Sequence, residues 1–141
     1  MFGKRAPPAV EHAPGSYAAV REKFEQYHQV PGNQNAHVLT LLIGLLGTAG
    51  VIIRGCVSLS KDKPRASVAR AAAASVWLAY AVALFATDVP NLLAAKCACV
   101  LFVVSIVSLR LDLGWAASVV LVVLGYGLQD LAHIIYGEET L

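Results

Sequence analysis

Charged residues fall in blocks along this chain, and the gaps between the blocks define its elements. Residues 38–53 (VLTLLIGLLGTAGVII), 71–87 (AAAASVWLAYAVALFAT), 97–109 (CACVLFVVSIVSL) and 113–129 (LGWAASVVLVVLGYGLQ) contain no charge. A membrane-spanning helix takes about 20 mostly apolar residues, within a range near 17–25. Each run reaches that length with its flanks: residues 55–59 extend the first, residues 131–135 the fourth, and a snorkelling Lys96 lengthens the third. The pattern predicts spans over about residues 37–59, 68–87, 90–109 and 113–136. Asp88, Pro90 and Asn91 break the chain between the second and third, and Arg110 and Asp112 flank a short turn before the fourth. Four such runs leave almost no wet face, which argues against a buried soluble bundle. The first begins too far from Met1, and after too polar a stretch, to be a signal peptide.

Residues 16–29 (SYAAVREKFEQYHQ) follow a different pattern. Tyr17, Val20, Phe24 and Tyr27 recur at helical spacing and make one apolar stripe, while Arg21, Glu22, Lys23, Glu25 and Gln26 lie mostly off it. This predicts an amphipathic helix lying on the bilayer surface or on the bundle. His28 falls within the stripe, close to Tyr17 and Phe24. Pro31 and Gly32 then break the helix, and Asn33 or Asn35 can cap the first span. Residues 1–15 are rich in Pro and Ala and read as a disordered tail. The expected architecture is all-α: a four-helix transmembrane bundle preceded by an amphipathic interfacial helix, with residues 16–141 forming one membrane-embedded domain.

Composition agrees with this pattern. Of 141 residues, 57% are hydrophobic and 14% charged, with 11 Lys and Arg against 9 Asp and Glu. A soluble domain carries about 25% charge, so an ordinary globular enzyme and a disordered arm are excluded. A net charge of +2 is too small to imply a nucleic-acid partner. Three cysteines, Cys56, Cys97 and Cys99, fall in apolar runs and read as small core hydrophobes. Cys97 and Cys99 diverge by about 200° on a helix and cannot share a metal.

Four spans place both chain ends on one side. Five or six basic residues (Arg54, those of 61–70, and Arg110) gather at the opposite side, against two or three (Arg21, Lys23 and Lys96). The positive-inside rule then puts the loop between spans one and two in the cytosol. A 17-residue helix rises about 26 Å, which suits the endoplasmic-reticulum bilayer, near 27 Å, better than the plasma membrane.

The histidines carry the candidate chemistry. His37 starts span one and His133 ends span four, so an even number of spans brings them to one face. His28, nine positions before His37, joins them, while His12 lies in the tail. Neutral imidazole is the commonest biological metal ligand, and iron and zinc both accept it. Asp130 and Gln129 precede His133 by three and four residues, near enough to hold its second ring nitrogen. Asn33 and Gln34 lie between the earlier histidines, and Glu138 and Glu139 follow His133 by about one turn. The alternative is that each histidine is an interfacial side chain at headgroup level. Spacing alone does not separate non-haem iron from zinc or from a haem held by His37 and His133.

Other features are weaker. Gly44, Gly47 and Gly50 recur every three residues in span one, and Gly125 and Gly127 lie late in span four. Such residues let helices approach closely, and could also leave room for an acyl chain. Trp77, Tyr80, Trp115 and Tyr126 fit interfacial anchors or core packing. No nucleophile elbow, phosphate loop or zinc-protease pair is present.

Two stretches resemble a known family. Residues 27–37 (YHQVPGNQNAH) match the pattern YH-x-x-P-x-N-x-x-x-H, and residues 129–140 (QDLAHIIYGEET) match Q-D-x-x-H-x-x-x-G-E-x-T. Both patterns, in this order around a multi-pass layout, are similar to those of the 2-hydroxy fatty acid dioxygenases, small proteins of the endoplasmic reticulum that act in phytosphingosine breakdown. Glu139 departs from the proline of many relatives, and relatives usually continue past the second motif through further apolar sequence. The resemblance implies Fe(II)-dependent α-oxidation, in which a 2-hydroxy long-chain fatty acid and O2 give a fatty acid one carbon shorter and carbon dioxide. It makes His28, His37 and His133 the iron ligands, and Asn33, Gln129 and Glu138 candidates for orienting ligands or substrate. The rival expectations are a structural subunit of a membrane complex and a haem-binding membrane protein.

Overall fold

The structure, a computed structural model, describes residues 13–60, 62 and 64–137. These fold into five helices: α1 (Tyr17–Tyr27), α2 (Pro31–Leu59), α3 (Arg65–Phe85), α4 (Asn91–Leu111) and α5 (Trp115–Tyr136). The four long helices are each apolar enough to cross a membrane, so the chain is a multi-pass membrane protein preceded by a short amphipathic helix. The tail expected over residues 1–15 lies outside the described residues up to position 12, and His12 with it.

The bundle is packed inside out relative to a soluble one. Its buried apolar positions are mostly small, Ala49, Ala72, Ala73, Ala94, Ala98 and Ala132 among them, with Ile53 and Val104 the larger exceptions. Most of its large aliphatic side chains face outward, Leu92 at 70% exposure and Ile134 at 74%. Lipid tails are as apolar as leucine, so burying leucine between helices gains little there, and small residues that allow close backbone approach prevail.

Helix α2 is central and packs on α3, α4 and, most extensively, α5. The α2–α5 seam runs along the predicted glycines. A Cβ on Gly125 would strike the backbone of Gly44, and one on Gly47 would lie 2.6 Å from the Ser118 carbonyl oxygen and the Val122 nitrogen. Gly127, by contrast, faces open space. Trp77 is a packing residue: its indole N–H donates to the Ala98 carbonyl at 2.9 Å and its ring meets Phe102 edge-on, joining α3 to α4.

Four sequence expectations change. Helix α2 begins at Pro31, six residues before the expected start, because proline is well suited to the first helical position, where its missing N–H has no partner to lose. The N-cap is Val30, with no side-chain cap, and Asn33 is buried in the first turn rather than capping it. Cys56 and Cys97 are half-buried but Cys99 is exposed on the outer face, so it is not a core residue. Helix length also exceeds the uncharged runs. With 29 residues, α2 is about 44 Å long at 1.5 Å per residue, so its length does not single out a thin bilayer.

The two ends of the bundle are tied differently. At one end, the Tyr17 N–H at the start of α1 donates to Asp88 in the α3–α4 loop at 2.8 Å. Ser16 caps the same helix by accepting from the Ala19 N–H. On α1, Glu25 pairs with Arg21 at 2.7 Å and raises the guanidinium pKa above its ordinary value. At the far end, Arg54 donates to the carbonyls of Leu113 (2.5 Å) and Asp112 (2.7 Å), closing the α4–α5 turn where Asp112 adopts φ +44°.

Candidate metal centre

Three imidazoles meet at the end of the bundle that carries α1. His28 is the C-cap of α1, His37 lies in the second turn of α2, and His133 in the last turn of α5. Antiparallel packing of α2 on α5 brings the last two to one level, and the glycine seam below sets how closely they approach. Ring centroids are 4.3 Å apart for His28–His37, 4.7 Å for His37–His133 and 4.9 Å for His28–His133. All three rings meet edge to face, and one nitrogen from each lies within 4.8 Å of the others. His28 and His133 are buried, at 3% and 5% exposure.

The surroundings of His28 assign its tautomer. Its Nδ1 lies 2.9 Å from the Phe24 carbonyl oxygen. A carbonyl only accepts, so in the neutral ring Nδ1 carries the proton and Nε2 the lone pair. That Nε2 is buried and has no hydrogen-bond partner among the described residues, and the same holds for Nδ1 of His133. A buried polar atom without a partner costs about 1–3 kcal/mol, and two lone-pair-bearing imidazoles at one spot are a donor set that could hold a metal. A metal-bound histidine typically donates its other N–H to a carbonyl or carboxylate, as His28 does. The donor set therefore fits a cation. Metal–imidazole bonds of about 2.0–2.1 Å put ligand atoms on one ion about 3 Å apart, so the rings must draw in by about 1–2 Å to grip it.

Several neighbours hold this arrangement. The Phe24 ring stacks on His28, with centroids 3.9 Å apart and planes 8° from parallel. The Gln34 side-chain amide donates to the His28 carbonyl at 2.6 Å, bracing the α1–α2 turn. Gly32 lies against the Tyr136 ring, where a Cβ would come within 2.6 Å of it. Gly137 ends α5 at φ +67°, and its N–H turns back toward the His133 and Ile134 carbonyls. A left-handed residue there favours glycine, which gives a structural reason for the glycine of the second motif.

Asn33 is fully buried, one helical turn before His37 on the same face of α2. Gln129 is half-buried one turn before His133, but neither it nor Asp130 hydrogen-bonds to the His133 ring among the described residues. Glu138 and Glu139 lie outside the described residues. Phe24 as the acceptor for His28, Gln34 as the brace of the turn, and Asp88 as the anchor of α1 were not singled out for these roles by sequence. Only the first has a local signal, the spacing of four between Phe24 and His28. A scan against protein-family models and searches of curated proteins and of solved structures find no match to this chain.

Proposed function

We propose that the three histidines hold Fe(II) and that the protein is a dioxygenase converting 2-hydroxy long-chain fatty acids to fatty acids one carbon shorter, in the endoplasmic-reticulum membrane. The observation that carries this reading is the convergence of His28, His37 and His133, each within one of the two motifs that resemble that family. Three imidazoles suit iron and zinc alike, and it is the motifs that favour iron. A haem between His37 and His133 fits less well. Their rings are already in edge contact, with His28 touching both, which leaves no slot for a flat macrocycle.

Bound there, Fe(II) supplies the redox chemistry that couples reduction of O2 to cleavage between C1 and C2. The balanced reaction takes one 2-hydroxy acid and one O2 to the shorter acid, carbon dioxide and water. The chain's own part is positional. Phe24 and Gln34 fix His28 with its Nε2 toward the other two rings. Asn33 and Gln129, one turn from His37 and His133, are placed to orient the polar head. The acyl tail would stay against the apolar outer faces of the helices, since moving each CH2 into water would cost roughly 0.8 kcal/mol.

The test is O2 uptake by the Fe(II)-loaded chain with 2-hydroxypalmitate, and identification of the fifteen-carbon acid. Replacement of His28, His37 or His133 by alanine should abolish turnover, and His12→Ala should not. A wild-type chain loaded with iron that leaves the substrate intact would remove the proposed activity. A visible Soret band would favour haem. Absence of bound metal together with tight co-purifying subunits would favour a structural role.

A further inference from the structure

At the end of the bundle opposite the histidines, a second cluster stands apart from that chemistry. Arg65 opens α3, Arg70 follows about one and a half turns later, and Arg110 lies in the last turn of α4. Together they rim a cavity of about 570 Å³ between the two helices. Its inner walls are apolar, built from Ile106 and Leu109, and the small side chains of Ala66 and Ala69 leave it open.

Charge in this cluster is unbalanced. Asp112 is the acid at the rim, and it is already shared by Arg54 and Arg65 at 3.0 Å each. Arg70 and Arg110 have no acidic partner among the described residues, and both are exposed. A guanidinium presents planar, paired donors that match phosphate oxygens. Basic pockets between membrane helices are where anionic headgroups bind.

We propose that this cavity is a binding site for one anionic phospholipid, with its phosphate on Arg70 and Arg110 and an acyl chain against Ile106 and Leu109. The apolar wall beneath the arginines favours a lipid over a soluble phosphate, which would use the rim alone. Arg65 is held by Asp112 and shapes the rim. The site is independent of the histidine cluster and does not rest on the function proposed for it.

The test uses the full chain in nanodiscs containing equal phosphatidylglycerol and phosphatidylcholine, with retained lipid counted by native mass spectrometry. The wild type should keep one phosphatidylglycerol in preference to phosphatidylcholine. The R70Q/R110Q variant should lose that preference by about 30-fold, roughly fivefold for each arginine. R70K/R110K keeps the charge and should retain a partial preference, which guards against misfolding of the glutamine variant. R21Q/K23Q, at the other end of the bundle, should match the wild type. Equal retention by wild type and R70Q/R110Q, or no preference for the anionic lipid, would overturn the proposal. Displacement by millimolar inorganic phosphate would overturn the lipid assignment in favour of a soluble anion.

Discussion

The ring of Phe24 lies flat on the imidazole of His28 while the carbonyl of the same residue accepts from His28 Nδ1. One residue thus sets both the plane and the tautomer of a proposed ligand. In Phe24→Ala the carbonyl remains and the stacking is lost, a change worth about 0.5–1.5 kcal/mol. Iron affinity should fall by up to about tenfold, with the helix content by circular dichroism unchanged. Wild-type affinity in this variant would show that stacking plays no part in positioning His28.

The seam of α2 on α5 sets the distance between His37 and His133. Gly125→Ala places a methyl against the Gly44 backbone, where neither helix can yield without moving the other. Overpacking of this kind costs about 1–3 kcal/mol. The thermal midpoint in detergent should drop and iron affinity should fall with it. Gly127→Ala, which meets open space, should leave the midpoint unchanged or raise it, since alanine is the better helix former.

Arg54 allows stability to be separated from the site. Its side chain is 19% exposed and satisfies two carbonyls of the α4–α5 turn. Charged hydrogen bonds contribute about 1.5–3 kcal/mol each, so Arg54→Met should lower the midpoint clearly. Because the turn lies at the end of the bundle away from the histidines, iron stoichiometry should persist below that midpoint. Loss of iron in the folded variant would mean that the two ends are coupled.

Asp88 ties the start of α1 to the α3–α4 loop through the Tyr17 N–H. A lost cap of this type costs about 1 kcal/mol. Asp88→Ala should accelerate amide exchange across Tyr17–Tyr27 while exchange in the four long helices stays unchanged. Unaltered exchange in α1 would show that other contacts hold this helix.

Much of the fold was legible because membrane solvation writes itself into charge. The gaps between charged blocks located all four spans, and the parity of those spans brought His37 and His133 to one face. Neighbour choice was not legible. Helices that are apolar on nearly every face give periodicity no preferred direction, so the pairing of α2 with α5 emerges from the close fit of Gly44 to Gly125 and of Gly47 and Gly50 to Ser118. Pro31 and Gly32 do separate α1 from α2, but proline also suits a first helical position, so α2 starts at Pro31 and not near residue 37. The Asp88–Tyr17 bond joins residues 71 apart and leaves no trace in local pattern. At the candidate centre the histidines could be named in advance, whereas the surroundings that give His28 its free Nε2 required coordinates.

The most direct measurement of the central claim is an anaerobic Fe(II) titration of the purified chain beside its His28→Ala, His37→Ala and His133→Ala variants, followed by X-ray absorption at the iron edge. The account predicts a single ion per wild-type chain with imidazole nitrogen in its coordination shell, and loss of that binding in all three folded variants. A folded wild-type chain that takes up no iron, or variants that bind it as the wild type does, would contradict it.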